Sequence, residues 1–173
     1  MAEPVVIVDF DPRWAGMFAE EKARIVEALK GLDVTVEHVG STSVPDLAAK
    51  PIIDIMVVVP DPAKGEKAIA PLTGLGYKYR GELGIPGRFY FSKGSPRAHH
   101  LHLYPRDHPE TARLLLFRDH LRAHPEAAHA YAELKRSLAE KFRYDREAYT
   151  EAKNDFIKSI EARVRQIGLA SEK

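Results

Sequence analysis

The strongest constraint on this chain is an apolar run with a single charge inside it. The run Ile52–Val59 is continuous except for Asp54, and Pro51 and Pro60 stand directly before and after it. Such a run predicts a central strand that is buried on both faces of a sheet. A buried carboxylate is costly unless it is paired or binds a cation. Asp54 is therefore the first candidate for a functional residue, and an ion pair with Lys50 or an arginine is the alternative to cation binding.

A turn of small, hydroxyl-bearing residues precedes this strand. Gly40 lets the backbone approach a ligand closely, and the N–H groups of such a turn form a concavity that binds anions. The next three residues add hydroxyl groups, namely Ser41, Thr42 and Ser43. We expect the turn to hold phosphate groups and Asp54 to offer Mg²⁺ a hard oxygen ligand. An ordinary turn that caps a helix is the alternative.

Histidines are concentrated in a second segment, where His and Leu alternate from His100 onward. The alternation predicts a strand with the imidazoles of His100 and His102 on one face. If this strand lies beside the one that carries Asp54, the three side chains form a site that suits Zn²⁺ or Mn²⁺ better than Mg²⁺. A histidine there can also act as a general base. The alternative is a half-exposed strand whose histidines are hydrogen-bonded to the backbone.

The spacing of apolar residues predicts the remaining elements. We expect strands at Val5–Asp9, Thr35–Val39, Tyr77–Arg80 and Arg88–Ser92, and helices at 12–31, 64–72, 114–121, 127–142 and 149–167. The first part of the chain mixes strands and helices, whereas the last part is helical. We therefore predict an α/β (α+β) fold with a core at residues 1–105 and a helical subdomain at 106–173, which together form one compact unit.

Composition narrows the classes of function. Lys and Arg number 26 against 25 acidic residues, so the net charge of +1 supplies no field for non-specific nucleic-acid binding. The absence of cysteine excludes disulfides, thiolate zinc sites and thiol catalysis. No apolar run approaches the ~20 residues of a transmembrane helix, and the N-terminus lacks the pattern of a secretory signal. We expect a cytoplasmic protein without a membrane partner and without a nucleic-acid partner.

A resemblance adds to these observations. The run EHVGSTSVPDLAAKPIIDI, from Glu37 to Ile55, resembles the GrpB family, and its Gly-Ser turn followed by a strand that begins with Asp resembles the active-site signature of the nucleotidyltransferase superfamily. Three further runs also resemble the GrpB family, namely VDFDPRWAGMFAEEKARI, RAHHLHLY and LLFRDHLRAHPEAAHAYAELKRSLA. The resemblance therefore covers nearly the whole chain. It implies a nucleotidyltransferase-like mixed sheet of about five or six strands, flanked by helices and followed by a helical subdomain.

The resemblance also implies a function and roles for single residues. The chain would bind a nucleoside triphosphate with Mg²⁺ or Mn²⁺ and transfer a nucleotidyl group to a small-molecule acceptor. Asp54 would hold the metal, Lys50 and Arg97 would stabilise charge on the phosphates, and His100 or His102 would supply a missing ligand or base. Four further residues would shape an acceptor pocket: His38, Arg118, Lys135 and Lys153. Solvated helix faces are the alternative for the last three.

One position departs from the superfamily pattern. Superfamily enzymes carry a second Asp or Glu two residues after the first, and the pair clamps two metal ions ~4 Å apart. Met56 stands at this position and ligates hard cations poorly. Either another residue supplies the ligand, or the chain binds nucleotide without transferring it. Glu37 replaces the missing carboxylate only if a β-bulge turns it toward the site.

The departure at Met56 keeps a second function open. Relatives of the family occur fused to dephospho-coenzyme A kinase, which implies an accessory module that binds a nucleotide or a coenzyme A precursor. A metal-dependent phosphohydrolase is a third hypothesis, although the chain lacks the paired acids of such sites. On the helical side, Asp119 and Arg122 are spaced for a weak ion pair along one helix.

Overall fold

A mixed five-stranded sheet forms the centre of the molecule, with strands in the order β1-β2-β5-β4-β3. The computed structural model describes residues 3–171 and, within that range, side chains up to residue 167. The strands are β1 (Thr35–Val39), β2 (Ile53–Val59), β3 (Lys78–Tyr79), β4 (Phe89–Lys93) and β5 (His99–Pro105). Only β2 and β5 are parallel neighbours in this sheet, and the other neighbouring strands are antiparallel. The predicted α/β class with a mixed sheet is confirmed.

Five helices flank the sheet. They are α1 (Trp14–Ala28), α2 (Pro62–Gly74), α3 (Pro109–Ala123), α4 (Pro125–Lys141) and α5 (Arg146–Ser171). Proline opens α2, α3 and α4, because its fixed φ suits the first turn and its missing N–H has no partner there anyway. Within the described residues, no helix combines the length and the apolar character that crossing a membrane requires.

One face of the sheet packs against α1 and α2. The sheet contributes fully buried apolar side chains to this core, namely Ile53, Ile55, Val57, Leu101 and Leu103. Successive residues of a strand point to opposite faces. Asp54, His100 and His102 therefore project from the other face of the same two central strands.

The C-terminal helices cover that other face. They pack around the segment that follows the 3-10 turn Ser41–Ser43, in an apolar cluster that contains Val44, Leu47, Ala48, Leu121, Ala127, Ala128, Tyr131, Ala132 and Ile160. Near the N-terminus, Val5 packs with Ala139 and Tyr149. Segments of the first part of the chain thus lie within the helical layer, and the division at residue 105 stays a prediction.

The first predicted strand is not formed. Val5–Asp9 contributes only an isolated bridge, in which Val8 and Ala49 exchange two backbone hydrogen bonds of 2.9 and 3.0 Å. The physical reason is that this segment runs beside the loop before β2 and not beside a strand of the sheet. Its alternating apolar residues, Val5 and Ile7, contact the C-terminal helices.

Two glycines give a paired test of the packing of the helices on the sheet. A Cβ atom on Gly65 of α2 would lie 2.7 Å from the Phe89 ring, whereas a Cβ on Gly16 of α1 would meet nothing within 4 Å. We expect Gly65→Ala to lower the free energy of unfolding by about 1–3 kcal/mol through overpacking. Gly16→Ala should raise it by up to about 1 kcal/mol, because alanine favours the helix. Urea unfolding followed by circular dichroism measures both, and shifts in the same direction would contradict this packing.

Candidate functional site

Asp54 lies between two histidines of the neighbouring strand. The parallel register places Asp54 opposite His100 and Met56 opposite His102. His100 Nδ1 lies 3.5 Å and His102 Nε2 3.3 Å from the same atom, Asp54 Oδ1. Burial by itself would raise the pKa of Asp54, but the two histidines lower it well below the usual value of an aspartate. Asp54 is therefore an ionised carboxylate, and it is paired with these histidines and not with Lys50.

The orientation of His102 depends on Arg88, a residue that the sequence did not single out. Arg88 is buried, and its Nη1 lies 3.4 Å from His102 Nδ1. A guanidinium only donates, so Nδ1 accepts and a neutral His102 carries its proton on Nε2, which faces Asp54. Arg88 is itself held in place, because it donates to the carbonyl oxygens of Glu82 (3.0 Å) and Leu83 (2.8 Å).

The turn before β2 contacts the other oxygen of the same carboxylate. Gly40 has a φ of +73°, and a Cβ there would lie 2.6 Å from Asp54 Oδ2. Only glycine fits both the backbone conformation and the close approach. Ser41 and Thr42 line the adjoining cavity. Ser43 does not line it, because its hydroxyl donates to the Gly40 carbonyl oxygen and serves the turn itself.

His38 lies beneath this turn and outside the cavity. It is paired with Ile55, so its ring points toward the core face, where it stacks on Phe18 with ring centroids 4.6 Å apart. Its Nε2 is hydrogen-bonded to Thr42 Oγ1 at 2.9 Å. Burial lowers the pKa of His38 to about 4, so the ring is neutral near pH 7. His38 therefore supports the turn from below and does not line this cavity, and its role in an acceptor pocket stays a prediction.

A cavity of about 280 Å³ lies beside Asp54, between the sheet and the helices α4 and α5. Its polar lining consists of Ser41, Thr42, Lys50, Asp54, His100, His102, Lys135, Tyr149, Thr150 and Lys153. This lining contains three lysines and a single carboxylate. The cavity therefore gathers most of the predicted site residues and carries excess positive charge.

Lys135 is the most deeply buried of the three lysines. It is 2% exposed, its Nζ donates to the Ala48 carbonyl oxygen at 2.5 Å, and Nζ lies 4.6 Å from the ring centroid of Tyr131. Burial, followed by the charges of Lys153 and Lys50, lowers the pKa of Lys135 to about 7. The fold thus holds the amino group of Lys135 in a poorly hydrated place without an anionic partner among the described residues, which disfavours its charged form.

The other two lysines lie over one aromatic ring. Lys50 Nζ and Lys153 Nζ are 5.4 Å and 5.1 Å from the ring centroid of Tyr149. Burial and then the charges of Lys153 and Arg146 lower the pKa of Lys50 to about 8, and burial also lowers the pKa of Lys153. The buried hydroxyl of Tyr149 has no hydrogen-bond partner among the described residues. An anion in the cavity would offset the clustered charge and offer this hydroxyl an acceptor.

Arg118 also lies outside the cavity, and its role in an acceptor pocket stays a prediction. It donates to Glu37 (2.8 Å), to Asp119 (2.9 Å) and to the His38 carbonyl oxygen (3.1 Å), and so fastens α3 to β1. Glu37 pairs with Met56 in a regular register, so it faces the same side of the sheet without any bulge. Its carboxylate is bonded to Arg118 and is not a free ligand.

Two other basic residues differ from expectation. Arg122 donates to the Ser43 carbonyl oxygen at 2.9 Å and does not pair with Asp119, which is bonded to its neighbour Arg118. Arg97 lines a separate cleft together with Arg146 and does not line the cavity at Asp54. The sequence carries no signal for either placement, because both depend on how distant segments meet.

The residues at Asp54 do not fit a pair of metal ions. Met56 is fully buried and packs with Val39 and Tyr104, so no second carboxylate stands at its position. Both imidazoles approach one oxygen of Asp54. Across residues 3–167, no group of three or more His, Cys, Asp or Glu side chains is arranged to hold a metal ion. The metal stays a prediction from the sequence.

Comparisons with known proteins agree with this architecture. A family model described as GrpB protein matches residues 4–163. UPF0157 protein PA4798 of Pseudomonas aeruginosa is 43% identical over 161 residues, which cover 90% of this chain and 66% of that protein. UPF0157 protein YqkA of Bacillus subtilis is 40% identical over 158 residues, which cover 91% of this chain and 46% of that protein. The chain thus spans less than two thirds of the length of both relatives.

A more distant relative has a different name. Dephospho-CoA kinase of Mycolicibacterium paratuberculosis is 29% identical over 185 aligned residues, which cover 90% of this chain and 44% of that protein.

Solved structures show the same fold. The crystal structure of the conserved protein GrpB from Enterococcus faecalis has a TM-score of 0.87 and 38% identity, and covers 95% of this chain and 99% of that one. The Cid1 poly(U) polymerase, with Mg and 3'-dATP bound, has a TM-score of 0.56 and 13% identity over 78% of this chain and 43% of that one, so it shows the fold alone. From the family match, these relatives and the shared sheet, we conclude that the chain belongs to the GrpB family and has a nucleotidyltransferase-like fold.

Proposed function

We propose that the chain binds a nucleoside triphosphate by its phosphate chain, in the cavity beside Asp54. The observation that carries the proposal is the convergence of Lys50, Lys135 and Lys153 on a cavity with one carboxylate. Ammonium groups form strong charge-assisted hydrogen bonds to phosphate oxygens, and these bonds gain strength where water is excluded. A polyanion is the class of ligand that compensates this charge.

The turn and the unpartnered hydroxyl support the same ligand. Ser41 lies on the cavity wall next to the glycine turn, which is the kind of backbone concavity that binds phosphate, whereas the hydroxyl of Thr42 is bonded to His38. The buried hydroxyl of Tyr149 lacks a partner among the described residues and can donate to a phosphate oxygen. Phosphate is thus offered donors from the turn, from α4 and from α5.

Transfer of a nucleotidyl group to a small-molecule acceptor is the extended form of this proposal: the acceptor hydroxyl would attack the α-phosphorus, the bond to the β-phosphate would break, and pyrophosphate would leave. Lys50 would stabilise charge that develops on the phosphates. His100 would accept the proton of the acceptor hydroxyl, because its Nε2 is buried without a hydrogen-bond partner among the described residues. Asp54 would orient both imidazoles. A divalent ion at Asp54 is the metal-dependent variant, and it would compete with the bonds from His100 and His102 to the carboxylate.

The second candidate function is an accessory module that binds a nucleotide or a coenzyme A precursor without chemistry. Met56 favours it, because a buried thioether stands where paired carboxylates support transfer. The relative named dephospho-CoA kinase adds a functional link, since the match to it covers 90% of this chain. Product formation separates this candidate from the transferase.

Lys135 gives the sharpest test of the cavity. We expect Lys135→Met to weaken ATP binding at least tenfold in isothermal titration calorimetry, because the buried ammonium is lost while the volume is kept. Lys158→Met, at an exposed position of α5, is the matched control and should leave the affinity unchanged. Thermal unfolding gives a second readout, since ATP at ~100 times its Kd adds about 2.7 kcal/mol to the stability of the wild type. Equal affinities in the two variants would contradict phosphate binding here.

The two perturbed lysines predict a pH dependence. Their pKa values of about 8 for Lys50 and about 7 for Lys135 lie below the ordinary ~10.4 of lysine. The unfolded chain therefore binds more protons than the folded one between pH ~7 and ~10, so stability without ligand should rise with pH in that range. ATP affinity should fall over the same range as the ammonium groups lose protons. Urea midpoints and titrations at pH 7, 8 and 9 measure both trends, and parallel trends would contradict the assignment.

Asp54→Asn separates the metal-dependent variant from binding by lysines alone. If the lysines bind the phosphates, the variant should bind ATP as tightly as the wild type or more tightly, in EDTA as well as in Mg²⁺, Mn²⁺ or Zn²⁺, because a repelling charge is removed. If a metal on Asp54 is required, the wild type should bind only with metal and the variant should not bind. Asp155→Asn, at an exposed position, controls for the charge change. Any nucleotidyl product should disappear in Asp54→Asn.

A further inference from the structure

A second basic cleft opens on the same side of the molecule. It has a volume of about 420 Å³ and is lined by Lys78, Arg80, Arg97 and Arg146, with Glu3 as the single acidic residue in its lining. Among the residues that the structure describes, none of these four cations forms an ion pair. The cleft therefore presents positive charge that the protein does not compensate.

The register of the sheet fixes where this cleft lies relative to the cavity. Asp54 pairs with His100, His100 with Ser92, and Ser92 with Lys78, so these four residues form one row on one face of four strands. Neighbouring strands are about 4.8 Å apart, so the row spans roughly 14 Å. Arg80 lies on the same side, because its Nε donates to Ser92 Oγ at 3.1 Å.

The two sites are also electrostatically continuous. After burial and the charge of Lys153, the positive charges of Arg146 and Arg97 lower the pKa of Lys50 in the cavity. Arg146 begins α5, which also carries Lys153, whereas Arg97 lies in the turn between β4 and β5. Basic side chains thus lead from the cavity to the cleft along the edge of α5.

We propose that this cleft binds the phosphate group of a second small molecule, a phosphomonoester, beside the nucleotide in the cavity. The inference rests on the proposed function, because the nucleotide defines what the second molecule lies next to. Guanidinium groups form paired hydrogen bonds to phosphate oxygens, and two or three of them suffice for one dianion. The cleft has a volume of only about 420 Å³, and the net charge of the chain is only +1. Both properties favour a small molecule over a nucleic-acid strand as the ligand.

The test uses glycerol 3-phosphate as the probe, with glycerol as its uncharged control. In calorimetry with ATP-saturated protein, we expect glycerol 3-phosphate to bind and glycerol not to bind. Lys78→Ala/Arg80→Ala should weaken this second event at least tenfold and leave ATP affinity within about twofold. Lys64→Ala/Lys67→Ala on α2 removes the same charge from the opposite side of the sheet and should change neither event.

Each of the other outcomes overturns a specific part of the proposal. Absence of the second event, or its persistence in Lys78→Ala/Arg80→Ala, overturns the phosphate cleft while ATP binding leaves the proposed function standing. If ATP does not bind, but glycerol 3-phosphate binds to the wild type and not to Lys78→Ala/Arg80→Ala, the proposed function is overturned. The placement of the phosphomonoester beside a nucleotide is then overturned as well, whereas an anion site in the cleft is supported. Single-stranded oligothymidine is the probe for a nucleic-acid ligand. If it binds at least tenfold more tightly than glycerol 3-phosphate, and this binding disappears in Lys78→Ala/Arg80→Ala, the proposal that the ligand is a small molecule is overturned.

Discussion

The site depends on the parallel contact between β2 and β5. A carboxylate within a central strand must be paired, and this contact supplies two imidazoles to the same oxygen of Asp54. The antiparallel β1 on the other side ends at Val39, directly opposite Asp54, so the following Gly40 can turn over the carboxylate. Without that register, neither the histidines nor the turn would reach Asp54.

The clustered positive charge in the cavity lowers the stability of the folded protein. Three lysines near one carboxylate repel one another, and burial lowers the pKa values of all three. Strongly shifted pKa values are found preferentially at functional sites. In this respect the cavity differs from the rest of the fold, where buried charges such as Glu21 are bonded to partners, in that case Tyr77 and Lys93.

The sequence predicted most of the helices and strands and the part of the site around Gly40 and Asp54. It did not predict how the C-terminal helices contact that part. The run around Asp54 and the small residues from Gly40 were readable because their chemistry is local. Lys135 and Lys153 looked like solvated helix faces, since nothing in a helical pattern tells which polar side will cover a charged cavity. The strand predicted at Val5–Asp9 is wrong because its alternating apolar residues pack against helices. Periodicity in the sequence does not distinguish such packing from a strand in a sheet.

The three lysines come from distant parts of the chain, one from the loop before β2 and one each from α4 and α5. During synthesis, the turn and Asp54 leave the ribosome long before Lys153. Until α5 docks, the cavity holds Lys50 and Lys135 but lacks Lys153 and the ring of Tyr149, so it carries less positive charge than in the complete fold. The full positive charge of the cavity is therefore acquired last, and a local detachment of α5 would remove part of it without unfolding the sheet.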